Sequence, residues 1–169
     1  MKPGGGNREL KTGSKEYTAR ELEVIKMQES GLYSDVYFSK ESGGYYAVEN
    51  STKMKTDEEI NAARFLANKG YKVVLKDEAG QMTTPDGYIY KYSFEQRTPE
   101  GSSSANFVTS LRHARDKKAD IAIVYMKYNR HTKQSVVEGL KAYEKKSKYR
   151  FKQIIIITQD GRLHIHKHN

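Results

Sequence analysis

The chain has 169 residues, 36% of them apolar and 30% charged, with a formal net charge of +9. That length suits a single domain. The charge favours an anionic partner, since each phosphate met by Lys or Arg releases counterions, although a basic surface can also serve solubility alone. Without cysteine there are no disulfides or Cys-based zinc sites, and no apolar run approaches the roughly 20 residues of a membrane span.

Residues 1–16 read as a flexible leader: Gly4-Gly5-Gly6 and Gly13-Ser14 offer nothing to bury, and Met1–Ser14 lacks the apolar stretch of a signal peptide. Tyr17 to Ser30 is predicted helical, with Leu22, Ile25 and Glu29 spaced along one side and Gly31 as its stop. Asp35–Lys40 and Tyr45–Asn50 read as strands of a hairpin turning at Gly43-Gly44. Thr56 and Glu59 have the capping-box spacing at the head of a second helix, whose apolar stripe is Ile60, Ala63 and Ala67 and whose stop is Gly70. A buried strand over Tyr71–Leu75 follows, then a polar loop over 76–84.

Asp86–Ile89 and Tyr92–Arg97 are predicted as short strands around a turn, followed by a Pro/Gly/Ser loop over Thr98–Ser104. Asn106–Lys117 reads as a helix with Phe107, Leu111 and Ala114 on one face. Ala119–Met126 is almost continuously apolar, as a strand covered on both faces requires. A linker over Arg130–Ser135, a helix over Val136–Lys146, a strand over Phe151–Thr158, a turn at Asp160-Gly161 and an edge strand over Leu163–His166 complete the chain. Strands 119–126 and 151–158 with the helix between them form a βαβ unit. The fold class is α/β, one layered domain over 17–169 with a central mixed sheet flanked by helices.

No cysteine nucleophile, G-x-S-x-G, P-loop or H-E-x-x-H is present. His164, His166 and His168 alternate along the last strand, a spacing that suits either a metal or a solvated edge. Asp86 follows Pro85, and Glu95 and Arg97 share a strand face. Across a tight hairpin Asp86 comes beside them, with Glu59, or its neighbour Glu58, as a further carboxylate. Converging carboxylates beside a cation suit metal-assisted phosphodiester cleavage: the acids hold Mg²⁺ or another divalent ion, which activates water, and the cation meets the developing charge. Equally, Asp86 can be a turn former and Glu95–Arg97 a salt pair.

From Lys127 to Lys152, nine Lys/Arg stand against two acidic residues, interleaved with Tyr128, Tyr143, Tyr149 and Phe151. This suits an RNA backbone with unstacked bases, or a solvated lysine face over core aromatics. The loop 98–106 and the helix behind it offer Ser104, Asn106, Arg112 and Arg115 to an anion, and Lys127, Arg130 and Lys133 extend the basic surface.

The run Glu59-Ile60-Asn61-Ala62-Ala63-Arg64-Phe65-Leu66-Ala67-Asn68-Lys69-Gly70-Tyr71-Lys72-Val73 is followed by Pro85-Asp86, Phe94-Glu95-Gln96-Arg97, Ser102-Ser103-Ser104-Ala105-Asn106 and Ala119-Asp120-Ile121-Ala122-Ile123-Val124. In that order they resemble the C-terminal toxin domains of contact-dependent growth inhibition proteins and their phage and mobile-element relatives, over about 45–167. The resemblance implies a ribonuclease, often acting on tRNA, with a PD-(D/E)xK-like fold and a divalent metal. Some relatives are instead barnase-like and metal-free, which would call on a histidine such as His113 or His131. It implies Glu59, Asp86 and Glu95 as metal-side carboxylates, with Arg97 in the lysine position. Arg97 departs from the pattern, because a guanidinium clamps phosphate but does not give up its proton. The resemblance further implies an acidic immunity protein as partner. It implies action in the cytoplasm of the producing or target cell, after delivery as part of a larger secreted protein. A nucleic-acid-binding module without catalysis is the remaining alternative.

Overall fold

A computed structural model describes residues 8–78 and 84–168. The chain divides into two compact units, Gly5–Lys91 and one built on Tyr92–Asn169. Each carries two helices and four strands in mixed parallel and antiparallel pairing, in keeping with the α/β expectation.

The first unit runs α1 (Lys15–Ser30), β1 (Tyr33–Phe38), β2 (Tyr45–Glu49), α2 (Asp57–Asn68), β3 (Lys72–Leu75) and β4 (Gly87–Ile89). β1 and β2 form the expected antiparallel hairpin, α2 crosses over to make β3 parallel to β2, and β4 returns antiparallel to β3. This βαβ crossover is additional to the one read from the sequence. The α2 capping box forms as predicted: Thr56 Oγ1 accepts from the Glu59 backbone and Glu59 Oε1 accepts from the Thr56 backbone. Its buried face is Ala62, Ala63, Leu66 and Ala67. The three alanines let α2 approach the sheet so closely that a Cβ on Gly44 would stand 2.0 Å from the Ala67 carbonyl oxygen.

Helix α1 packs differently from the predicted stripe. Leu22 and Ile25 are exposed, and the buried residues are Tyr17 and Val24. Polar anchors hold this face: the Tyr17 hydroxyl donates to the Lys40 carbonyl at 2.6 Å, and Arg20 Nη1 donates to the Gly70 carbonyl at 2.6 Å. Of the expected leader, residues 1–7 lie outside the described residues. Residues 8–16 are tied in. The Arg8 and Leu10 backbone N–H groups donate to Lys69 and Ser42 carbonyls, both at 2.7 Å, and α1 begins at Lys15 behind its Ser14 cap. The Arg8 guanidinium lies over the rings of Tyr71 and Tyr90. Of the predicted 76–84 loop, 79–83 also fall outside the described residues.

The second unit runs β5 (Tyr92–Arg97), α3 (Ser104–Asp116), β6 (Ile121–Tyr125), α4 (Lys133–Lys146), β7 (Gln153–Ile157) and β8 (Leu163–Lys167). β5, β6 and β7 are parallel, joined through α3 and α4, and β8 is antiparallel to β7. The predicted βαβ unit is therefore β6-α4-β7. Both helices start earlier than expected, at Ser104 and Lys133, because Ser103 and Thr132 cap them. Thus 130–135 is linker only as far as Thr132. The core joins Phe107 and Leu111 of α3, Tyr143 of α4, Phe151, and Val124, Ile154 and Ile156 of the sheet. At Gly139 the helices touch: a Cβ there would meet Phe107 Cδ1 and the Ser104 carbonyl oxygen, each at 2.9 Å. No helix among the described residues is long and apolar enough to cross a membrane.

Candidate functional site

Within the first unit, three segments bring carboxylates together. Glu59 stands on the first turn of α2, Glu78 follows β3, and Asp86 precedes β4. The β3–β4 pairing sets the last two: Leu75 lies opposite Gly87, and the Lys76 N–H donates to the Asp86 carbonyl at 2.9 Å. One ligand atom from each of Glu59, Glu78 and Asp86 lies within 4.8 Å of the others, and Asp86 is buried. Glu59 divides its carboxylate. Oε1 serves the helix cap, whereas Oε2 is shut from solvent without a hydrogen bond.

Lys55 enters the same cluster from the residue before the α2 cap. Its side chain is only 6% exposed, and its ammonium lies 2.9 Å from Glu78 Oε2 and 3.8 Å from Glu59 Oε2. Sequence reasoning missed both Lys55 and Glu78. The sequence signal was faint: Lys55 adjoins a recognised N-cap, and Glu78 sits in a polar loop that closes on Asp86 only once β3 and β4 pair. Hard oxygen donors at this spacing suit a small divalent cation, and the orphaned Glu59 Oε2 fits that use. The Lys55 ammonium also supplies one positive charge against the three carboxylates.

In the second unit, Glu95 and Arg97 share a face of β5 as expected. Arg97 Nη2 lies 3.1 Å from Glu95 Oε2. This is no surface salt pair, since the carboxylate is buried while the guanidinium side chain is 41% exposed. Gln96, between them, donates from Nε2 to Thr98 Oγ1. Thus, of the carboxylates expected at the metal, Glu59 and Asp86 meet in the first unit together with Glu78. Glu95 belongs to the second.

The remaining predicted contacts are distributed over that second unit. Ser104 is the first residue of α3, but the hydroxyl that caps the helix is that of Ser103. Asn106 Oδ1 is taken up by the Ser103 N–H and hydroxyl, completing a capping box. Arg115 pairs with Asp116 at 3.0 Å, while Arg112 and Arg130 are exposed. Lys127 lies over the exposed Tyr128 ring, and Lys133 opens α4. Asp120 of the Ala119-Asp120 motif is structural, accepting from the Ser93 N–H at 3.2 Å and so tying β5 to β6. Tyr143 and Phe151 are core residues with stacked rings, which decides against their serving as base platforms.

The histidines separate. His164 and His166 are exposed on β8, whereas His168 is buried beyond its end. His168 Nδ1 accepts from the Phe151 N–H at 3.0 Å, which leaves Nε2 to donate to Glu144 Oε2 at 3.0 Å. It holds the chain end in place and is not part of a triple-histidine site. His113 is exposed, and burial pushes His131 below the ordinary histidine range, with the Gly101 backbone partly opposing.

No protein-family model matches the chain, and no curated protein sequence does. Among solved structures, the fold is similar to a chain of the CdiA-CT/CdiI toxin and immunity complex from Burkholderia pseudomallei. The TM-score is 0.56 at 20% identity, covering 71% of this chain and 98% of that one. The chain therefore shares an α/β fold with a chain of that toxin and immunity complex.

Proposed function

We propose that the chain is the nuclease domain of a contact-dependent growth inhibition toxin, cleaving RNA of the tRNA class. In this reading Glu59, Glu78 and Asp86 hold a divalent cation for phosphodiester hydrolysis. The observation carrying it is the approach of three carboxylate oxygens, from three separate segments, to within 4.8 Å of one another. A cation bound there supplies Lewis acidity and a water of lowered pKa. The chain's own groups do the rest. Asp86 and Glu59 Oε2 present negative charge from fixed backbone positions, and the Lys55 ammonium counters charge developing beside them. Separately, in the second unit, Arg97 is held by Glu95 and keeps its side chain 41% exposed, which suits contact with an RNA phosphate. The net charge of +9 favours a polyanion and, in the producing cell, an acidic immunity protein that reaches the toxin quickly through complementary charge. Delivery into the target cytoplasm within a larger secreted protein completes the reading.

Incubation with total tRNA, with Mg²⁺ or with EDTA, tests it. Cleavage that EDTA abolishes supports the metal-dependent mechanism. A metal-free ribonuclease is the second reading, favoured by the Lys55 ammonium already paired with Glu78; cleavage that survives EDTA supports it. Binding without cleavage under any metal would reduce the domain to an RNA-binding module.

A further inference from the structure

The second unit also contains a groove. It encloses about 630 Å³ between α4 and the β7–β8 hairpin, within the range of small-ligand sites. Register explains why it is there. Ile154 and Ile156 of β7 lie opposite His166 and His164 of β8, so all four share one sheet face. Helix α4 covers the β7 part of that face with Val136 and Leu140 but leaves the β8 part open. The result is an aliphatic wall, with Phe107 and His131 also in the lining, their ring centroids 6.4 Å apart and edge-on.

The exposed lip is basic or titratable: Lys133 at the head of α4, Arg162 in the β7–β8 turn, then His164 and His166. Among the described residues, no Asp or Glu lines the groove. Lys133 and Arg162 are exposed, so the fixed positive charge sits at the mouth. An apolar slot with a cationic lip complements a flat, weakly polar body carrying one negative group. A nucleotide has that form: the base packs on the wall and the phosphate meets the lip. A helix or strand of a partner protein would also need apolar anchors, but nothing at the lip would require them to be flanked by an anion.

We propose that this groove takes one nucleotide of single-stranded RNA, its base against Val137, Leu140, Ile154 and Ile156 and its phosphate at Lys133, Arg162 and His164. The inference rests on the RNA reading above and gives that RNA a holding point remote in sequence from Asp86. A flexible loop or unpaired end enters such a slot, whereas a continuous duplex, with its bases stacked, does not.

The test is equilibrium binding of a short, fluorescein-labelled, 2′-O-methylated single-stranded RNA in EDTA, a ligand that neither cleavage chemistry consumes. Val137 is 39% exposed on α4, so Val137→Glu puts a carboxylate into the groove without burying it. The expected result is about tenfold weaker binding, with a similar loss for His164→Glu. Ile25→Glu, the same kind of change on exposed α1 of the first unit, should leave affinity within about twofold. Melting curves verify folding, and Arg162→Ala in the exposed turn serves if a groove variant is unstable. Wild-type affinity in the groove variants overturns the proposal while leaving the RNA reading intact. If wild-type protein binds no RNA, the RNA reading itself fails. Should the variants keep RNA but lose an acidic immunity protein, the groove is a protein-docking site and the proposal is overturned.

Discussion

The Lys55 ammonium stands 2.9 Å from Glu78 and 3.8 Å from Glu59, in the same cluster as Asp86. A cation-binding group of carboxylates thus carries its own counter-charge. Replacing Lys55 by Met leaves like charges facing one another, which should cost about 1–3 kcal/mol of folding stability. A divalent cation that occupies the same carboxylates should restore more stability to Lys55→Met than it adds to wild type. Thermal melts with Mg²⁺ and with EDTA measure both effects. Equal responses of the two proteins to Mg²⁺ would place the ion elsewhere.

Asp86→Asn keeps the shape of the buried side chain and removes its charge. RNA cleavage should fall about a hundredfold or more, while the melting temperature changes by no more than a few degrees. A variant that remains folded and cleaves at the wild-type rate removes Asp86 from the chemistry.

His168 links stability to pH. Burial pushes its folded pKa below the ordinary value of 6.5, with Arg150 and His166 acting in the same direction and Glu144 opposing them. In the unfolded chain the group titrates near about 6.5. Below that pH the unfolded state takes up a proton that the folded state resists. The contribution is therefore fully present above about 6.5 and is lost as pH falls toward the depressed folded value. His168→Ala should cost about 2–4 kcal/mol at neutral pH, through the lost Phe151 N–H bond and the space left behind. It should also flatten the mildly acidic part of the stability profile. Urea denaturation across that range reads out both.

Gly139→Val should destabilise the second unit by about 1–3 kcal/mol, because added carbons have only the Phe107 ring and the Ser104 carbonyl to push against. Near-UV circular dichroism, which follows the aromatic core, should change with it.

What the sequence revealed followed the locality of the signal. The Thr56–Glu59 capping box involves four consecutive positions and no distant partner, so its reading matched the structure. β6 was legible because a strand covered on both faces is apolar throughout. α1 misled because its anchors are a tyrosine hydroxyl and an arginine reaching distant carbonyls, while Leu22 and Ile25 face outward. Lys55 and Glu78 carried only a faint local mark, since they meet Asp86 only through the crossover and the β3–β4 pairing. Tyr143 and Phe151 fitted two environments equally well by residue type, and only their packing on Ile154 and Leu111 decided between them.

Glu59 serves two masters with one carboxylate. Its Oε1 closes the α2 cap, while the same carboxylate belongs to the cluster with Glu78 and Asp86. Aspartate would be one methylene too short to span both, and alanine would confuse a frayed helix with a missing ligand. Glutamine keeps an oxygen for the Thr56 N–H while discarding the charge, so it is the one substitution here that separates architecture from chemistry. The position ties the first turn of α2 to whatever the carboxylates hold. An occupant of the cluster would therefore be felt as a stiffer helix entrance, detectable as slower amide hydrogen exchange at the Thr56 N–H even where no reaction is being followed.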